Sequence, residues 1–126
     1  MKILFLEDDA NRIAKARREF VGDELTVVET AQGAIAALEV NQFDLASLDH
    51  DLGGSVMAES DENSGYAVAR YIAPMEYPPF VIVHSFNPVG AKKMMLHLVE
   101  MVPCARALWD TPDYWRFIER VRMEAA

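Results

Sequence analysis

FDLASLDHDLGG, from Phe43 to Gly54, carries a short apolar run straight into acid, histidine, acid and two glycines. A strand that only needs to stop can do so with Asn, Gly or Pro, whereas unpaired carboxylates are costly to desolvate. The start of the chain offers them company. ILFLEDD, from Ile3 to Asp9, shows the same design of an apolar run ending in acids. A third run, FVIVHSFNPVG from Phe80 to Gly90, ends in His84 and Ser85 instead.

Outward from Leu45–Leu48, read as a strand, apolar runs alternate with segments of helical period. Further strands are expected at Ile3–Leu6, Leu25–Val28, Phe80–Val83 and Ala105–Trp109. Helices are expected at Ala10–Val21, Gln32–Val40, Gly65–Ala73, Ala91–Met101 and Asp113–Met123, with a polar loop at about Gly53–Asn63. NPVG and TPDYW make Asn87 and Thr111 N-caps with proline at the first helical position. The strands lack polar alternation, as expected of strands buried on both faces. The pattern therefore predicts an α/β fold, a doubly wound parallel sheet of five strands in one domain spanning 1–126. In such sheets ligands bind beyond the carboxyl ends of the strands. Those ends carry Glu7, Asp8 and Asp9, then Asp49, His50 and Asp51, then His84, Ser85 and Asn87.

Composition narrows the partners. Twelve basic against twenty acidic residues give a net charge of −8, which argues against broad binding of nucleic acid or anionic membrane. No apolar run approaches the roughly 18–20 residues that span a bilayer, and MKILFLEDD turns acidic too soon for a signal peptide. Cys104 is the single cysteine, in keeping with a reducing cytoplasm. A small phosphorylated ligand, a divalent cation or a protein partner stays open, as does the choice between monomer and homodimer.

Converging carboxylates sharpen that choice. At 4 Å and an effective dielectric near 20, a like-charge pair costs about 4 kcal/mol, so either a proton or a cation is held there. Mg²⁺ (or Mn²⁺) suits such a place. The plainer alternative has Asp9 capping the first helix and Asp51 holding a turn.

ILFLEDDANR, FDLASLDHDLGG and VIVHSFNPVG, in that order and spacing, resemble the receiver domain of two-component response regulators. The resemblance implies a flavodoxin-like strand order 2-1-3-4-5. It assigns Mg²⁺ to Asp8 and Asp9, leaves Glu7 open, places the phospho-accepting aspartate at Asp49, and gives the carbonyl of Asp51 to the metal. Three departures stand out: no basic residue in ALWDTP after strand five, His84–Ser85 after strand four, and the lengthened loop. LDHDLGG, SGYAVARYI and HSFNPVGAKKM are more similar to the cyclic-phosphate processing receiver domains, which implies metal-dependent attack on cyclic phosphates.

The residues themselves allow that chemistry. A cation on Asp8, Asp9 and Asp49 would activate water. His84 and His50 would divide acid and base work. The NPVG helix start, with Ser85 and Asn87, would receive an anion, helped by Lys92 or Lys93 and by Arg12. Simpler roles compete: His50 alternates in direction with Asp49, Asn87 caps a helix, and His97 shares a solvated face with Lys93 and Glu100. Tyr66, Tyr71, Trp109 and Trp115 read as packing. Glu59, Asp61 and Glu62 read as a solvent-facing loop, or a lid. Three functional classes remain: a metal-dependent phosphoesterase, a receiver phosphorylated on Asp49, and a pseudo-receiver that binds a protein partner.

Overall fold

The computed structural model describes residues 1–52 and 63–126; the acidic loop residues Glu59, Asp61 and Glu62 lie outside them. The described chain runs β1 (Lys2–Leu6), α1 (Ala10–Glu19), β2 (Glu24–Val28), α2 (Ala31–Val40), β3 (Leu45–Leu48), α3 (Gly65–Ile72), β4 (Phe80–Val83), α4 (Pro88–Leu98), β5 (Cys104–Arg106) and α5 (Pro112–Ala125). All neighbouring strands are parallel, in the expected order β2-β1-β3-β4-β5. Among the described residues no helix is long and apolar enough to cross a membrane.

The pleat of the three central strands builds two cores. Ile3, Phe5, Leu45 and Ile82 face α1 and α5, where they meet Ala16, Phe20, Tyr114 and Ile118. Leu4, Leu6, Ala46, Leu48, Val81 and Val83 face α2, α3 and α4, packing on Ala34, Val68, Ile72, Ala91 and Met94. Side chains alternate with period two, so an apolar run buried on both faces feeds both layers. Each row is aligned across the sheet: Phe5 sits beside Ser47, and Ser47 beside Ile82.

α4 starts at Pro88, as the NPVG cap signal predicts, because Asn87 Oδ1 accepts the Gly90 N–H at 3.0 Å and commits the chain to a helix there. β5 differs from expectation and ends at Arg106, because only Cys104, Ala105 and Arg106 pair with β4. Beyond it the chain turns at Asp110, whose φ of 59° lies in the left-handed region. Aspartate tolerates that region better than most residues, and the turn is tied by Trp115 Nε1 and Lys15 Nζ donating to the Asp110 carboxylate.

Candidate functional site

The first row past the strand ladders is Glu7, Asp49 and His84. It continues the row of Phe5, Ser47 and Ile82, so all three side chains rise on the α1/α5 side of the sheet. Glu7 and His84 are fully buried and Asp49 is 5% exposed. One ligand atom from each lies within 4.8 Å of the other two, and this is the group among the described residues able to share a metal ion.

Glu7 is the anchored anion of the group. Its Oε2 accepts the backbone N–H groups of Asp8 and Asp9 at 3.1 and 3.3 Å. Its Oε1 faces His84 Nε2 at 3.1 Å and accepts from Arg12 Nη1 at 3.4 Å. Burial alone would raise its carboxyl, but the hydrogen bond to His84 and the Arg12 guanidinium outweigh that and hold it well below the usual carboxylate range. Asp49 goes the other way. Burial raises it, His84 pulls it back, and Glu7 raises it again as neighbouring charge and hydrogen-bond partner, leaving it at about 6.

His84 is gripped on every side. Its Nδ1 lies 2.7 Å from Ser47 Oγ, which lies 2.8 Å from the Tyr114 hydroxyl. Its ring stacks on Phe5, with centroids 5.1 Å apart and planes 15° from parallel, and Trp109 closes another side. Over the rim, the Arg12 guanidinium lies 4.8 Å from the centre of the Phe86 ring, which is half exposed.

The other side of the strand ends is organised differently. His50 is buried with Nδ1 at 2.8 Å from Asp51 Oδ1. Asn87 Nδ2 donates to the same Asp51 oxygen at 3.0 Å, and Ser85 Oγ accepts the Asn87 N–H at 3.0 Å. Two helices press on this loop. A Cβ on Gly90 would lie 2.4 Å from the His50 ring, and one on Gly65 would lie 1.8 Å from the Asp49 carbonyl oxygen. Both positions require glycine because backbone approaches too closely for any side chain.

Asp9 is the N-cap of α1, its Oδ1 accepting the Arg12 N–H at 2.9 Å, and Glu7, left open by the resemblance, stands with Asp49 and His84. Asp8 is half-buried and outside the three-residue group. The Asp51 carboxylate oxygen Oδ1 serves His50 and Asn87, while the atom that the resemblance gives to the metal is the Asp51 carbonyl. His50 lies against α4, apart from His84. At the α4 start the Gly90 N–H is taken by Asn87 and the Asn87 N–H by Ser85, and Pro88 has none. Lys92 is exposed, and Lys93 packs over the Tyr66 ring at 4.5 Å. Arg12 does reach the site.

Two contributors were missed in sequence. Ser47 is the lone hydroxyl in an otherwise apolar run, a signal visible in LASL but unread. Arg106 ends β5, its guanidinium donating to the Ser85 carbonyl at 3.5 Å, so the region after strand four has a basic neighbour after all.

Residues 2–100 match the family described as Cyclic-phosphate processing Receiver domain. No curated protein matches the chain. Among solved structures, a CheY-like receiver domain protein from Methanospirillum hungatei JF-1 is similar over 97% of this chain and 90% of its own, with TM-score 0.70 and 17% identity. The response regulator TrrA of Thermotoga maritima, in complex with Mg²⁺-BeF, is similar over 98% of both chains, with TM-score 0.67 and 19% identity. The receiver domain of a sensor histidine kinase from Pseudomonas aeruginosa PAO1, with a magnesium ion in its active site cleft, is similar over 94% of this chain and 93% of its own, at TM-score 0.63 and 18% identity. At these identities the similarity establishes the fold.

Proposed function

This chain belongs to the cyclic-phosphate processing receiver domain family, and from that membership we propose that Glu7, Asp49 and His84 form a site that opens cyclic phosphodiesters of small ligands with the help of a divalent cation. The observation that carries the reading is the split between the two acids: one carboxyl is held well below the usual carboxylate range and its neighbour is raised to about 6. Neighbouring titratable groups pushed apart in this way are a mark of divided acid–base roles.

The donor set fits Mg²⁺ or Mn²⁺, since two buried carboxylates side by side favour a hard cation over a second negative charge. Glu7 and Asp49 are the residues that would hold it, and once bound it would lower the pKa of a coordinated water and offset charge on the phosphoryl oxygens. The chain's own residues do the rest. Ring opening adds the oxygen of water to phosphorus, breaks one ring P–O bond, and moves a proton from the water to the departing oxygen. Asp49, whose carboxyl keeps its proton up to about 6 without a cation, would give that proton up as the cation binds. His84 presents Nε2 into the same pocket, and Arg12 on the rim supplies positive charge for the phosphate.

The test is ³¹P NMR of 2′,3′-cyclic nucleotides incubated with the protein and Mg²⁺ or Mn²⁺. The cyclic signal should give way to a monoester signal, and Asp49→Asn should slow this by about a hundredfold or more. A second reading, a receiver phosphorylated on Asp49, draws support from Arg106 as a basic residue ending β5. If intact-mass analysis shows phosphate taken from acetyl phosphate onto Asp49 while cyclic nucleotides stay unchanged, that second reading replaces the first.

A further inference from the structure

Ser47, Tyr114 and His84 form a hydrogen-bonded chain in which every atom is buried and every proton has one place to go. Ser47 and His84 are fully buried, and so is Tyr114, which packs edge-on against Trp109 and Trp115 with ring centroids 5.0 Å away in each case. The Tyr114 hydroxyl has Ser47 Oγ as its partner, at 2.8 Å, and burial keeps it protonated by raising it well above the usual phenol range. A phenol proton in that setting must be given to Ser47 Oγ. Ser47 then has one proton of its own and one partner left to take it, His84 Nδ1 at 2.7 Å. Nδ1 is thereby an acceptor, which puts the ring proton on Nε2, facing the acceptor-only carboxylate of Glu7 at 3.1 Å.

The reverse order fails at both ends. With a proton on Nδ1 donated to Ser47, Ser47 would donate to Tyr114 and leave the buried phenol hydrogen without an acceptor. If Nε2 also lost its proton, its lone pair would face the Glu7 carboxylate. Leaving a buried donor unsatisfied corresponds to a bias of about tenfold or more. No buried side-chain N or O atom among the described residues lacks a partner.

We propose that Tyr114 and Ser47 are positioning residues that hold His84 as the Nε2–H tautomer, making it a fixed hydrogen-bond donor to the site and excluding it as a metal ligand. The tautomer stands on geometry alone. Its use, holding the Glu7 carboxylate in a fixed orientation toward the cation, rests on the phosphodiester-opening reading. The division of labour is then definite: carboxylates for the cation, imidazole to orient Glu7.

The experiment is ¹⁵N NMR of the full chain with labelled histidine, near pH 7.5, without substrate and with and without Mg²⁺. The chain has three histidines, so His50→Gln and His97→Gln complete the assignment. The expected spectrum gives His84 a protonated Nε2 and an unprotonated Nδ1, unchanged in tautomer by Mg²⁺. Tyr114→Phe keeps the ring packing and removes only the hydroxyl that sets the direction. In it the ratio of Nε2–H to Nδ1–H forms should fall by about tenfold. Ser47→Ala, which cuts the chain at its centre, should likewise release the preference. Two protonated nitrogens on His84, an Nδ1–H tautomer in the unsubstituted protein, loss of the Nε2 proton on adding Mg²⁺, or a Tyr114→Phe spectrum identical to the parent would each overturn the proposal. Because no substrate is present, failure of cyclic-phosphate opening leaves this result standing, and the converse holds.

Discussion

The two sides of the sheet's carboxyl edge use the same few residue types for opposite ends. On the α1/α5 side, Glu7, Asp49 and His84 are brought within one ion's reach, and two carboxyls are forced apart in their affinity for protons. On the α4 side, His50, Asp51, Ser85 and Asn87 saturate one another, and helix backbone packs flat upon them. The first arrangement stores electrostatic tension that a ligand can relieve. The second spends its hydrogen bonds on holding the loop. A histidine beside an aspartate is therefore no guide to chemistry by itself; which face the pleat gives it decides.

The comparison breaks most visibly at Gly65. Gly65→Ala drives a methyl into a backbone carbonyl that has no freedom to retreat, and a loss of about 3 kcal/mol or more is expected in urea unfolding. Asp49→Asn should act with the opposite sign. A carboxyl raised from 3.8 to about 6 keeps its proton in the folded state after the unfolded chain has lost it, so folding stability falls as pH rises between those values. In chelator above pH 6, the neutral amide should stabilise the fold by about 1–3 kcal/mol. Below about pH 4 the gain should vanish, and added Mg²⁺ should erase it by stabilising only the parent. Thermal unfolding across pH reads both effects.

Smaller effects sharpen the contrast. Gly90→Ala should cost about 1–3 kcal/mol through the His50 ring, and His50→Ala in the same chain should return part of it, a coupling that a double-mutant cycle measures. Asn87→Ala should cost about 1–2 kcal/mol, from the lost α4 cap and the hydrogen bond to Asp51. Neither change on this side should weaken Mg²⁺ binding measured by calorimetry, whereas Glu7→Gln should abolish it.

The fold was legible because strands buried on both faces are written as unbroken apolar runs, and because Asn87 and Thr111 mark helix starts in plain terms. β5 was not, since a three-residue edge strand beside Pro103 carries little pattern of its own. The site was legible in outline: three strand ends, acids and His84. The place of Glu7 beside Asp49 and His84 was also within reach. Counting by twos from Ile3 and Phe5 arrives at Glu7, just as Leu45 and Ser47 lead to Asp49, and Phe80 and Ile82 to His84. What sequence could not supply is the chain through Ser47 to Tyr114, whose members stand 37 and 67 positions apart and meet only when α5 folds over the sheet.

Asp49 is fastened through its main chain on both sides. Its N–H is given to the Leu6 carbonyl at 3.0 Å, and its own carbonyl lies under the glycine that opens α3. What is left to move is two side-chain torsions. A side chain held in this way reaches its geometry when the polypeptide folds, so a ligand arriving at it has no main-chain ordering left to drive.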